Sequence, residues 1–340
     1  MTLLANSSTV IDTNYDAFFN RIEYTSQYFK IKLSFVGSTY GFAYGGQFYS
    51  PVSFTSLVER FPFNSSSIGT SSIGNLTTAR GFLAGQSAAD YAYASGGQTT
   101  STGTYTDIID KFSMISEAIS SVSVGTMISR RSGVTGQSSS NFGYISGGQL
   151  TPYVNTIERF PFFDTTVNAA TVGALTVARS FSSSQSSNTH GYNSGGLGLP
   201  NATILNTIDR FPFASATVDA SSVGSLTVSR YTCTGQSSET TGYASGGFEL
   251  NPTWIVPSFQ IESFPFASSS TNATDVGDLF AAKSESASCS SRDYAYTMGG
   301  RTDLTTTTTT IERFPTSSTL SSTSVGALSI SKYGITGHQI

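Results

Sequence analysis

The stretch GYASGG, Gly242 to Gly247, decides how this chain is read, because it keeps returning. YAYASGG ends at Gly97, GYISGG at Gly148, GYNSGG at Gly196, YAYTMGG at Gly300 and GFAYGG at Gly46. The second glycines stand 51, 51, 48, 51 and 53 residues apart, and a period of that size marks an array of one supersecondary unit. A double glycine ending a strand predicts positive φ and close approach of the next unit. The preceding aromatic, Tyr144, Tyr192 or Tyr243, is expected to fill the space between units.

Three more segments repeat with it. GQSS-like runs (Phe82–Ala88, Gly133–Ser139, Thr232–Ser238) precede each double glycine. TIERFPF-like runs follow it (Leu57–Phe63, Ile108–Met114, Thr156–Phe162, Thr207–Phe213, Gln260–Phe266, Thr310–Pro315), and then VGALTVAR-like runs (Val172–Arg179, Val223–Arg230, Val325–Lys332). Each is short, bounded by Gly, Ser, Pro or Asn, and without helical period, so each unit reads as four strands. Four strands per 50 or so residues is the pattern of a propeller blade, which buries its faces only against its neighbours. The expected fold is all-β, six blades from residue 33 to residue 340, preceded by an arm of residues 1–32.

Composition agrees with sheet and turn. Charged residues are only 11% of the 340, so hydroxyls must cover the surface. A net charge of −4 argues against nucleic acid, which requires clustered Lys and Arg. The N-terminus lacks a signal-peptide pattern and no apolar run is long enough to cross a membrane, so cytosolic synthesis without membrane insertion is expected. Cys233 and Cys289 are read as free thiols.

The set GYxSGG, TIxRFPF, VGxLTxxR and GQSS resembles kelch repeats, and within them the kelch-like proteins of marine tailed bacteriophages, over nearly the whole chain. The usual blade tryptophan is missing. The one Trp, Trp254, falls in a loop, and the Val-Gly-x-Leu segment stands where the blade tryptophan is expected. The C-terminal YGITGHQI repeats the start of a unit and stops, so it should close the ring onto the first blade; Leu33–Phe35 is the other candidate for that innermost strand.

In the arm, Tyr15, Phe18, Phe19 and Ile22 have helical spacing, and Tyr28–Phe35, including Phe29, alternates like a strand. These aromatics are expected to dock the arm on the ring or on another subunit. The loops after the double glycines vary from eight to thirteen residues and carry Phe48, Tyr49, Phe54, Tyr105, Tyr153, Phe248 and Trp254, a candidate partner-binding face. The connection between third and fourth strands holds at nine residues in five units and looks architectural.

No catalytic, metal or cofactor residues are expected. Only His190 and His338 occur, in different units, and no Ser/His/Asp set or nucleophile elbow is present. Each unit carries an acid in its third strand (Glu59, Asp110, Glu158, Asp209, Glu262, Glu312) and a base after its fourth (Arg80, Arg130, Arg179, Arg230, Lys283, Lys332). Residues that recur in every unit serve the unit, so these are expected to form ion pairs within or between blades. Gln86, Gln137, Gln185 and Gln236, in register with Cys289 and His338, are expected to line the central channel.

The resemblance implies a non-enzymatic virion structural or appendage protein, tail or capsid-associated and part of an oligomeric assembly. Its arm would attach it to other virion proteins, and its loop face would meet a host-surface glycan or protein. The alternatives are a cellular kelch-type interaction scaffold and a carbohydrate-binding propeller, the latter favoured if Trp254 and the loop tyrosines form a sugar platform.

Overall fold

The computed structural model describes residues 22–25, 28–31 and 39–337, apart from 64, 165, 200, 216, 252–253, 269, 271 and 318–320. Among the described residues there is no helix. The fold is all-β, built of many small sheets in a propeller-like arrangement.

Each repeat makes an antiparallel meander in chain order. The third repeat is typical: Thr135–Ser138, Phe142–Ser146, Thr156–Pro161 and Ala170–Ala174 pair in sequence, from inner strand to outer. The second, fourth, fifth and sixth repeats have the same order. In the first, Tyr40–Tyr44, Leu57–Pro62 and Ser71–Asn75 form the second to fourth strands, and Thr336, from the far end of the chain, makes an isolated antiparallel bridge to Tyr44 on the inner side. The Tyr44 N–H donates to the Thr336 carbonyl (3.0 Å), and the Thr336 N–H donates to the Tyr44 carbonyl (3.2 Å).

The third strand does not alternate strictly, and the reason is local. A bulge falls between Ile157 and Glu158, and at the matching place in each of the other repeats, so the apolar residue and the acid after it are both turned inward. The outer strand is covered by the next repeat. The Val218 N–H donates to the Val172 carbonyl (2.7 Å) and the Ala220 N–H to the Ala174 carbonyl (2.8 Å), so the nine-residue connection of one repeat docks on its neighbour's edge. That docking needs the glycine of the Val-Gly segment: a Cβ on Gly173 would lie 2.5 Å from the Val218 carbonyl.

The core lies between repeats. The Tyr144 ring stacks on Phe213 of the next repeat (4.8 Å between centroids), and its hydroxyl donates to the Phe213 carbonyl (3.2 Å). Tyr93, Tyr192 and Tyr296 do the same with Phe162, Phe266 and Phe63. The ring therefore fills the gap and also fixes the angle between neighbours.

The arm differs in part from its expected form. Ile22, assigned to a helical face, instead begins the strand Ile22–Thr25, which pairs with Tyr28–Ile31 as a hairpin. The four-residue spacing that suggested a helix is also met by chance in a short aromatic-rich run. Tyr15, Phe18, Phe19 and Leu33–Phe35 lie outside the described residues.

Candidate functional site

The recurring charges are consumed by architecture. Arg80 pairs with Asp110 (3.2 Å), Arg179 with Asp209 (3.1 Å), Lys283 with Glu312 (2.6 Å) and Lys332 with Glu59 (2.8 Å). Arg131 pairs with Glu158 and Arg230 with Glu262. In every case the base belongs to one repeat and the acid to the next, both side chains are buried, and each Lys is matched with the longer acid. The acids also accept backbone N–H groups, for example that of Thr176 on Asp209 (2.9 Å) and that of Ser329 on Glu59 (2.7 Å). Such satisfaction is what lets an ion pair survive burial. The second repeat corrects the sequence reading: the buried base is Arg131, while Arg130 is exposed and meets Asp107 at 3.7 Å. Two adjacent arginines hid the register.

The glutamines are also structural, contrary to expectation. Gln86, Gln137, Gln185 and Gln236 are fully buried, and their amides donate to the carbonyls of Tyr144, Tyr192, Tyr243 and Tyr296 in the next repeat. They turn between the sheets because their strand position faces the neighbour and not the axis. Cys289, in the same register, is fully buried, and burial pushes its thiol up. Cys233 is also buried, and both cysteines are free. His338 lies outside the described residues.

What surrounds the axis is instead the turn leading into each inner strand. Phe82, Gly133, Phe181, Thr232, Glu285 and Gly334 occupy one equivalent place, all with φ between +53° and +60°. Their backbones form a closed circuit: each N–H donates to the carbonyl of the equivalent residue one repeat earlier, from Gly133 on Phe82 (2.9 Å) round to Phe82 on Gly334 (2.8 Å). These turns and the inner strands together line a partly open pocket of about 100 Å³, which includes Phe82, Phe181, Thr232 and Glu285 as well as Thr135 and Ser183.

Glycine takes this left-handed conformation freely, and the chain uses it at Gly133 and Gly334. The other four positions hold side chains there at a cost of about 1–3 kcal/mol each, and strain of this kind gathers where a protein acts. Those side chains divide the mouth in two. On one side Phe82 and Phe181 meet edge to face at 5.7 Å, with Tyr333 6.0 Å from Phe82. On the other are Thr232, Glu285 and Arg301, with Arg301 Nε 2.8 Å from Glu285 Oε2 and its guanidinium 3.7 Å above the Tyr333 ring. Burial pushes the Glu285 carboxyl up to about 7, against the pull of Arg301.

Arg301 stands directly after a double glycine, and its backbone pairs with Ser284 of the turn. Gln47, Gln98, Gln149, Leu197 and Phe248 stand at the same place in the other repeats and pair likewise. The loop face is thus tied to the mouth.

The loop aromatics divide accordingly. Tyr49, 39% exposed, lies 5.9 Å from the Arg301 guanidinium, and Tyr153 is near enough to Tyr231 to weigh on its hydroxyl. Phe54 packs over Gly81, and Phe48 and Tyr105 are half-buried within their loops. Phe248 is 3% exposed, its ring 5.5 Å from Tyr231, so it props the face and cannot meet a partner. Its hairpin partner strand carries Trp254, 76% exposed, beside exposed Ile255 and Leu250.

Sequence reading missed Phe82, Phe181, Thr232, Glu285, Arg301 and Tyr333. A signal was present: the third residue after each buried base, counting the base as first, reads Phe, Gly, Phe, Thr, Glu, Gly. A column that twice needs glycine marks the other four as strained.

No protein-family model matches the chain, and no curated protein matches it. Solved structures do, 238 chains in all. One of them, described as the structure of YjhT, a β-propeller-type protein, is 9% identical. It covers 85% of this chain and 98% of its own, with a TM-score of 0.65. That likeness shows the fold alone.

Proposed function

We propose that the six sheets are the blades of a closed, kelch-like propeller that works as a non-catalytic binding module, a structural or appendage component of a tailed-phage particle. Closure is supported by the pairing of Thr336 with Tyr44, the burial of Lys332 against Glu59 and the six-membered backbone circuit. The assignment to a particle rests on the resemblance of the GYxSGG, TIxRFPF, VGxLTxxR and GQSS segments to phage kelch-like proteins.

The observation that carries the binding role is where the repeats differ. Buried charges, glutamines and inter-sheet tyrosines follow the repeat, while strained side chains, the Glu285–Arg301 pair and exposed Trp254 break it and gather at the loops and channel mouth. Varied loops on a rigid scaffold are how propellers present binding surfaces. In this reading the arm attaches the protein to neighbouring virion proteins, and the loop face meets the host surface.

Two measurements test it. Mass spectrometry of purified particles should find the chain at a fixed copy number, and its absence would remove the virion assignment. Purified chain should bind the surface of host cells and lose that binding in Trp254→Ala. Equal binding by the variant would move the contact off the loop face.

A further inference from the structure

We infer that the channel mouth is a site for a neutral sugar ring, a pyranose at the end of a glycan. The inference rests on the loop-face reading and gives that face a ligand chemistry.

The two halves of the mouth match the two halves of a pyranose. One side of such a ring is a sheet of polarised C–H bonds, and aromatic faces, which carry partial negative charge, attract it. The half-buried Phe82 and Phe181 supply those faces, with Tyr333 buried behind Phe82 under the Arg301 guanidinium. The ring's edge carries adjacent hydroxyls that both donate and accept. Glu285 accepts O–H donors and Arg301 donates to hydroxyl oxygens.

Charge selects against other ligands. Above about pH 7, where the Glu285 carboxyl is ionised, Arg301 Nε 2.8 Å from Glu285 Oε2 leaves the site close to neutral. An anionic ligand drawn to Arg301 meets the Glu285 carboxylate, and a cation drawn to Glu285 meets the guanidinium. A polyol satisfies both ions at once and leaves neither unpaired.

Depth fixes where the ring rests. Below the mouth the inner strands crowd together: a Cβ on Gly136 would lie 2.2 Å from the Gly85 carbonyl, and one on Gly235 would lie 1.9 Å from that of Ser184. The pocket of about 100 Å³, lined from the mouth residues down to the inner strands, has room for a few waters, so a sugar sits over the mouth and does not thread the channel. The strain at Phe82, Phe181, Thr232 and Glu285 then has a purpose, since glycine in those places would keep the turn and lose the site.

The test is saturation-transfer NMR of the full chain with the methyl pyranosides of glucose, galactose and mannose. At least one should receive saturation, strongest on the protons of one ring face. Phe82→Gly and Glu285→Gln should weaken its binding at least about tenfold, with Phe163→Ala, an exposed position in the architectural connection between third and fourth strands, unchanged. Phe82→Gly copies the residue found at Gly334 and so keeps the turn; should its melting curve show loss of fold, the nearly isosteric Glu285→Gln decides alone. No transfer to any of the three sugars, or binding by both mouth variants equal to the parent's, overturns the inference. If the sugars fail while Trp254→Ala still abolishes host-surface binding, only the sugar site falls; if host-surface binding fails while the mouth variants alter sugar binding, only the virion reading does.

Discussion

Lys332 Nζ lies 2.8 Å from Glu59 Oε2 with both side chains fully buried, so an ion pair joins the last repeat to the first. Burial works to raise the Glu59 carboxyl, but Lys332 and the Ser329 N–H outweigh it and hold it below its ordinary value. Lys332→Met strands that carboxylate and is expected to cost about 3–5 kcal/mol in urea unfolding near neutral pH. Lys332→Met with Glu59→Leu should recover most of the loss. Because the native value is depressed, the carboxylate's contribution is present above about pH 4.5 and disappears as pH falls through the native value. Equal stability of the single variant and the parent would mean that the ends are not joined through this pair.

Tyr144→Phe keeps the stacked ring and deletes one buried hydrogen bond to Phe213. The expected cost is about 1 kcal/mol, read from the denaturation midpoint. The first repeat already carries Phe42 at this place, so the fold should survive.

Gly173→Ala tests the docking of one repeat on its neighbour's edge. The new methyl would meet the backbone of Val218, which cannot rotate away. An unfolding cost of about 1–3 kcal/mol is expected. No change would show that the edge yields.

Glu285 reports the mouth through pH. Burial raises its value from 4.5 to about 7, so its contribution to stability is full below about pH 4.5 and is lost as pH rises to about 7. Relative to Glu285→Gln, the parent should lose about 3 kcal/mol of unfolding free energy across that window, followed by denaturant titration at several pH values. A constant difference would place Glu285 in water.

The repeat made the fold legible. Glycine pairs, FPF turns and the acid–base columns each have one job, and repetition separates that job from chance. The bulge before Glu158 was not legible, since it appears only when two strands are laid side by side. The glutamines were misplaced for a related reason: strand alternation says that they share a face, while the packing angle decides which face meets the axis. Trp254 was found because it is large and falls in the long segment after a double glycine, although that segment folds as a hairpin and not as the loop expected. Glu285 and Arg301 were not, because they are separated by a whole hairpin and Arg301 sits where other repeats have Gln, Leu or Phe.

The backbone circuit from Phe82 through Gly334 and back has a direction. Every N–H points the same way round, so each amide dipole leads into the next and none is terminal. Head-to-tail contacts of this kind are those of a heterologous cyclic oligomer, here strung on one chain. Dipoles aligned in a loop reinforce one another and leave no end exposed to water. Because the circuit uses only main-chain atoms, the side chains of Phe82, Thr232 or Glu285 can be exchanged without removing any of its hydrogen bonds.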